Sequence, residues 1–311
     1  MKKERYSTVF FTRNLDLSSE LFFDFYISCI SSFGKLTAPL CIKVHTGEEG
    51  NRNYLRPDYL KDFIHRIDPD EEKVEPTIVE CNTAYEGSRN TTEKHLKLLD
   101  DHEWTKYFKC DILDSEGPDK VLPVKNYIRI DKNYVGKHIE NYKSCIVISH
   151  FKAHPMGGFG GALKQLSIGF ASSKGKEYIH GFGNFEAGKK SLQDVKSVNQ
   201  NAFIESMADA ASSIVNYFKN NIVFINILKN IAESCDCDSN APLPCMDDIG
   251  ILISADPVAI DQASINLIKK ANDKGKDKII NRIESKNGEY ILECAQKIGI
   301  GNRSYNLLEV E

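Results

Sequence analysis

The chain has 311 residues, enough to bury a sizeable core, and its 41% hydrophobic and 27% charged content is that of a soluble globular protein. A formal net charge of −4, with no dense lysine–arginine stripe, argues against a nucleic-acid-binding surface. No apolar run approaches the length of a membrane span, and the apolar Val9–Phe11 near the N-terminus is too short for a secretory signal, so a cytoplasmic protein with reduced thiols is expected despite nine cysteines.

A helical stripe runs from Ser18 to Phe33 through Leu21, Phe22, Phe25, Ile30 and Phe33, with Ser18 or Ser19 as its cap and Gly34 closing it. Residues 39–44 read as a strand and are followed by the polar cluster HTGEEGNRN. Residues 57–67 read as a helix and 77–81 as a second strand, followed by NTAYEGSRN. Asn90 then caps a helix with Glu93 as its capping-box partner. Residues 121–130 look extended, and 145–149 form the third strong strand. Residues 171–188 are rich in glycine and lysine and read as irregular; 201–219 are an amphipathic helix. Apolar residues 222–228 and 249–253 read as strands on either side of the loop CDCDSNAPLPCMDD. Asp256 and Pro257 stand at N-cap and N1 of the next helix, and a helix over 289–298 and a strand over 305–310 finish the chain.

Alternating strands and helices predict an α/β fold with a largely parallel sheet flanked by helices. The chain reads as one domain, 1–311, in which a cleft would divide lobes 1–140 and 141–311. Four strands end in polar clusters: HTGEEGN, NTAYEGSR, SHFKAHPMGGFGG and SADP. In a parallel sheet such clusters would share one edge, where open α/β sheets hold ligands.

The densest cluster is residues 149–169, SHFKAHPMGGFGGALKQLSIG. It holds His150, His154, Lys164 and the glycines Gly157, Gly158, Gly160 and Gly161. Pro155 disfavours helix at His154, so the two histidines belong to a bending segment. The glycines would let backbone amides approach an anion, with Lys164 supplying charge, although the spacing matches neither a P-loop nor GxGxxG. His150, His154 and His180 are candidate metal ligands or acid–base groups, since imidazole changes charge near neutral pH. Cys235, Cys237 and Cys245 form CxCx7C, a set of candidate soft-metal ligands that is neither a zinc-ribbon pair nor a ferredoxin run. Arg89 either pairs with Glu80 or Glu86 or clamps a carboxylate. Asp256 and Asp261 read as helix-capping and solvating residues.

Several of these segments together resemble one family. ECNTAYEGSR, the 149–169 segment, CDC and DIGILISADPVAIDQAS resemble the domain-of-unknown-function 362 family of uncharacterised Fe–S centre proteins. Many members of that family carry a cysteine-rich cluster-binding insertion. This chain has no cysteine between His180 and Asn201, so a 4Fe-4S cluster is not expected. The order histidine, glycine loop, lysine, histidine is also similar to that of nickel-pincer-nucleotide lactate racemases. That resemblance implies His154 as acid–base group, Lys164 as covalent anchor of the cofactor and His180 as metal ligand. Ser88 stands before Arg89 where those racemases have histidine, so two-base racemisation is not implied.

The leading expectation is a cytoplasmic enzyme that binds a divalent metal or a nucleotide-derived metal cofactor and acts on a small anionic molecule by proton or hydride transfer. His154 and Lys164 would be catalytic. The glycines, Lys164 and Arg89 would hold the cofactor, and His180, His150, Cys235 and Cys237 would ligate metal. The alternative is a non-enzymatic metal-binding or Fe–S electron-transfer protein built on Cys235, Cys237 and Cys245. Neither nucleic acid nor membrane is expected as a partner, and self-association is left open.

Overall fold

The computed structural model describes residues 6–33, 36–68, 75–194 and 199–310. Its first half contains strands β1 (Ser7–Thr12), β2 (Leu40–Lys43), β3 (Thr77–Glu80), β4 (Cys110–Ile112), β5 (Lys120–Pro123) and β6 (Lys132–Val135) and helices α1 (Glu20–Ser31), α2 (Pro57–His65), α3 (Thr92–Asp101) and α4 (Trp104–Tyr107). The second half begins with β7 (Ser144–His150), β8 (Lys152–His154), β9 (Gly158–Gly160), α5 (Ala162–Lys164), α6 (Ser173–His180), α7 (Phe185–Gln193) and α8 (Gln200–Phe218). It ends with β10 (Ile222–Leu228), β11 (Gly250–Ser254), α9 (Pro257–Lys270), α10 (Lys276–Ser285), α11 (Tyr290–Ile298) and β12 (Tyr305–Glu309).

Eight strands form one sheet in the order β12-β1-β11-β10-β7-β2-β3-β4. All neighbours pair in parallel except at β11, which runs antiparallel to both β1 and β10. The fold class is therefore the expected one. The order interleaves strands from both sides of residue 140, so the chain does not part into lobes 1–140 and 141–311. Sequences buried on both faces form the centre. In β7, Cys145 and Val147 face one core while Ile146 and Ile148 face the other. The first core contains residues of α5, α6, α8, α9 and α11; the second contains residues of α1, α2, α3 and α4. This is the layered arrangement that an apolar, doubly covered parallel sheet requires.

Several boundaries differ from the sequence reading for identifiable reasons. Val9–Phe11 lies inside β1, a sheet strand. Ser19 caps α1, but Leu21 is exposed, and the buried stripe is Phe22, Phe25, Tyr26 and Cys29. Gly34, expected to close that helix, lies outside the described residues. Thr91, not Asn90, caps α3, accepting from the Lys94 amide. Residues 171–188 are mostly helical, in α6 and α7, and α10 is a further helix the sequence reading lacked. Asp256 caps α9 as expected, with Oδ1 accepting from the Val258 and Ala259 amides.

The reversal of β11 corrects the expected cleft. Strands β2, β3, β7 and β10 run the same way, so their C-terminal ends share an edge. The SADP segment after β11 lies at the opposite edge, where Asp256 accepts from Ser7 and the Asn302 amide. Its place at the shared edge is taken by the CDC loop after β10. At that edge the Lys43 ammonium and the Glu80 carboxylate, from the ends of adjacent strands, form a buried ion pair. Truncating one partner leaves a buried charge without its counter-charge, which costs about 3–5 kcal/mol. Lys43→Ala is expected to lower unfolding free energy by about that amount in urea titrations, and Lys43→Met with Glu80→Gln to recover much of it. A Lys43→Ala protein as stable as the parent would contradict this reading of the edge.

Candidate functional site

The shared strand edge opens onto a cavity of about 180 Å³. Its wall carries the cations Lys43, Arg89, Lys164 and Lys176, the histidines His45, His154 and His180, the carboxylate Glu80, and Cys237. An apolar side is supplied by Met156, Ile168, Phe203 and Met207. The structure thus brings His154, Lys164 and His180 to one hollow from the end of β8, from α5 and from the end of α6.

Most of the positive charge is already matched. Lys43 pairs with Glu80. Burial would raise the Glu80 carboxyl, but Lys43 and the neighbouring cations hold it well below the usual range. Arg89 is buried and donates from Nε and Nη2 to Glu48 Oε2 at 3.0 and 2.9 Å, with Nη2 also donating to the Tyr85 hydroxyl at 2.9 Å. Its expected partners, Glu80 and Glu86, are replaced by Glu48, and its fork is occupied by protein groups. Lys164 Nζ lies 3.5 Å from Cys235 Sγ.

Lys176 is the exception. Its side chain is buried, it reaches the cavity, and its ammonium donates to the Ala171 carbonyl. Among the described residues no carboxylate lies within ion-pair distance of it. Burial pushes its pKa below the usual lysine range, as expected of a cation taken out of water without a full counter-charge. One helical turn on, His180 Nδ1 donates to the Lys176 carbonyl at 2.7 Å. That bond places the ring lone pair on Nε2, for which no hydrogen-bond partner occurs among the described residues. The ring packs on Phe203, with centroids 4.7 Å apart. Burial, opposed by the bond to the Lys176 carbonyl and aided by the nearby lysines, pushes His180 down to about 4, so it is a neutral base at physiological pH.

The opposite arrangement holds at His154. Its Nδ1 accepts from the Met156 amide at 3.2 Å and the Gly157 amide at 2.9 Å. The proton of the neutral ring therefore sits on Nε2. The ligand atoms of His154, Cys235 and Cys237 lie within 4.8 Å of one another. A metal ligand needs a free ring lone pair and normally donates its other N–H; the two amides facing Nδ1 set the reverse tautomer. His180 has the free nitrogen but belongs to no cluster of three ligand atoms among the described residues. Cys245 stands apart, its sulfur directed to the carbonyls of Ile231 and Gly275.

His150 lies beneath the site. Its Nδ1 meets Asp236 Oδ1 at 2.8 Å and its Nε2 meets the Lys229 carbonyl at 2.8 Å, so both nitrogens are engaged by protein groups. Lys152 holds the other oxygen of the same aspartate. Asp236 is thereby pinned between two cationic-type side chains of β7 and β8, which keep its carboxyl low against the effect of burial. With Asp236 held by His150 and Lys152, its neighbour Cys237 lines the cavity while Cys235 is buried behind it. Burial would raise the Cys235 thiol, but the Cys237 hydrogen bond, the Lys164 ammonium and His154 hold it well below the usual range. The Cys237 thiol is pushed up, first by its bond to the Cys235 sulfur and then by burial.

The glycines do not form a phosphate cradle. The amides of Ala162 and Leu163 donate to the two oxygens of Asp261 at 2.8 and 2.9 Å, so an internal carboxylate already fills the helix N-terminus. A Cβ on Gly161 would collide with that carboxylate. Gly158, at φ +83°, turns the β8–β9 hairpin against Gly288. Gly157 serves His154, and Gly160 pairs with Lys152 across the hairpin. Asp261 thus caps α5 and fixes Lys164, a role beyond the capping of its own helix expected from sequence. The residues sequence reasoning missed are Lys176, Glu48, His45 and Asp236; the spacing Lys176–His180, one helical turn apart, was the available signal for the first.

The family described as "Domain of unknown function (DUF362)" matches residues 40–266, most of the chain, and the chain belongs to that family. It is the family that the sequence segments resembled. No curated protein matches the chain. Among solved structures, a protein from Thermotoga maritima is 12% identical with a TM-score of 0.45, over 88% of this chain and 58% of its own. The lactate racemase apoprotein from Thermoanaerobacterium thermosaccharolyticum is 12% identical with a TM-score of 0.43, over 84% of this chain and 57% of its own. The chain spans less than three fifths of the length of either structure. No helix among the described residues is long and apolar enough to cross a membrane.

The sulfur geometry makes one direct prediction. Reduced protein should keep the ultraviolet absorbance of a thiolate to pH values below the ordinary cysteine range, lost as pH falls through the depressed pKa of Cys235. Cys235→Ala should abolish the band, and Lys164→Ala should move its onset to higher pH. An onset unchanged in Lys164→Ala would contradict the assignment.

Proposed function

We propose that the chain is an enzyme that binds a small organic anion in this cavity and transfers a proton on it. Lys176 anchors the anion, and His180 Nε2 accepts the proton. The observation that carries the reading is the Lys176 ammonium, buried in the cavity wall with a backbone carbonyl and no carboxylate as partner among the described residues. An isolated buried cation is costly, and an anion arriving from solvent relieves that cost. His180 stands one turn away with its lone pair unspent, within the same small hollow. The apolar side favours an anion with a short hydrocarbon portion, so a 2-substituted carboxylate suits the wall better than inorganic phosphate.

The broader expectation of a divalent metal or a nucleotide-derived metal cofactor draws on the family resemblance. Of the residues it names, His180 keeps the nitrogen such a group needs. Lys164 is engaged with Cys235, and the amide cradle is engaged with Asp261. The proposed proton transfer therefore uses only the chain's own groups. We place the protein in a reducing compartment, consistent with its free thiols.

Binding of a panel of short 2-hydroxy, 2-amino and 2-oxo carboxylates tests the reading by calorimetry, with exchange of the 2-hydrogen into deuterated water followed by NMR. Lys176→Met should weaken binding by about tenfold to a hundredfold, the worth of one charge-assisted hydrogen bond. It should leave stability unchanged or raise it by about 1 kcal/mol, because it replaces an unmatched buried charge with an apolar isostere. Affinity should fall as pH rises through the depressed Lys176 pKa, since only the charged form binds. Exchange should fall as pH drops towards about 4, where His180 takes up its proton. His180→Ala should reduce exchange about a hundredfold or more with little change in affinity. Stoichiometric metal in natively purified protein that disappears in His180→Ala would replace this reading with a metal-dependent one.

A further inference from the structure

The site contains a second set of groups that anion binding and proton transfer do not use. Cys235 and Cys237 sit two residues apart on the CDC loop, on the side opposite the pinned Asp236. Their sulfurs lie within 4.8 Å of each other, and the Cys237 amide donates to Cys235 Sγ at 3.4 Å. Lys164 Nζ adds a further donor to the Cys235 sulfur at 3.5 Å, and the His154 ring lies within 4.8 Å of both sulfurs. The two thiols differ in access: Cys235 is fully buried, whereas Cys237 is partly exposed and lines the cavity.

We propose that Cys235 and Cys237 are a redox-active dithiol that reduces a low-molecular-weight disulfide admitted through the cavity, closing to an internal disulfide as it does so. Cys237 is the sulfur that an incoming molecule meets. Cys237 attacks as the minor thiolate of the pair, its proton having passed to the Cys235 sulfur, which lies within 4.8 Å of it. The Cys237 sulfur bonds to one sulfur of the substrate disulfide, the substrate S–S bond breaks, and the first thiolate leaves. Cys235 then returns its proton to a leaving sulfur and attacks Cys237 Sγ, expelling the second. In sum, one thiolate, one thiol and R–S–S–R become the Cys235–Cys237 disulfide, RSH and RS⁻. The protein sulfurs lose two electrons, and the substrate gains them.

The other thiols lack this combination. Cys41 and Cys145 also face each other, in register on β2 and β7, but both are fully buried in the core, where no substrate reaches them. Cys81 reaches the cavity wall but is buried beside acidic groups that, with desolvation, push its thiol up. Cys110 and Cys245 are partly exposed, and among the described residues neither has a second sulfur or a cation bonded to its own. The proposal does not depend on Lys176 or His180, so its failure and that of the anion-binding reading are separable.

The test uses the pre-reduced 311-residue chain and bis(2-hydroxyethyl) disulfide, an uncharged probe, followed by intact mass and peptide mapping. The parent should lose two hydrogens, with the link mapped to Cys235–Cys237, and carry no lasting adduct. Cys235→Ser should stop at one stable adduct on Cys237. Cys237→Ser should react about tenfold more slowly or worse, because the remaining sulfur is shielded. Cys245→Ser should behave as the parent. First reaction at Cys110 or Cys245, or a stable mixed disulfide on Cys237 in the parent, would overturn the proposal. So would loss of two hydrogens in the Cys235→Ser variant. Circular dichroism of each variant separates a chemical effect from a folding defect.

Discussion

The site depends on the common direction of four adjacent strands. Because β10, β7, β2 and β3 run in parallel, every loop that leaves them emerges on the same side of the sheet. Residues far apart in the chain, such as Lys43, Glu80, His154 and Cys237, are thereby gathered without any one segment containing the site. The strands can do this only because both of their faces are buried under helices, which makes the sheet rigid and leaves its edge as the place where polar groups collect.

At that edge the protein matches its buried charges with care. Glu80 answers Lys43, Glu48 answers Arg89, Asp236 answers Lys152 and His150, and a sulfur answers Lys164. These pairs hold loops in place, because most of them link segments far apart in the chain. Against that background the Lys176 ammonium is conspicuous. A buried ammonium bonded to one carbonyl weakens the folded state, and such a defect is usually retained where a ligand completes it. The site therefore divides into a rigid, neutralised frame and a small set of groups left open: the Lys176 charge, the His180 lone pair and the Cys237 sulfur.

Much of the fold was legible from sequence because burial on both faces leaves unbroken apolar runs, as in β7 and β10, and because Asp256–Pro257 marks a helix start by its chemistry. The reversed direction of β11 was not legible. Its SADP ending resembles the other strand ends, and only pairing partners reveal its orientation. Helices α6 and α7 were hidden by their glycines, which suggested a loop. Gly175 and Gly188 instead permit close backbone approach: a Cβ on Gly175 would strike the Tyr134 carbonyl, and one on Gly188 would strike that of Glu177. The glycine loop suggested an anion cradle, but its anion is Asp261, about a hundred residues away, and local sequence does not show such a partner. The histidines stood out in the sequence as a group, but their differing settings depend on which nitrogen faces a carbonyl, as in His180, and which faces an amide, as in His154. That is decided by tertiary contacts.

The central claim is that Lys176 is a buried cation awaiting an anion. Proton uptake on ligand binding tests it most directly, by calorimetry of 2-hydroxybutyrate binding at alkaline pH in buffers of unlike ionisation enthalpy. An arriving carboxylate should restore the depressed Lys176 pKa, so binding should draw a fraction of a proton from the buffer, and Lys176→Met should draw none. Binding without proton uptake, or with uptake that survives in Lys176→Met, would contradict the account.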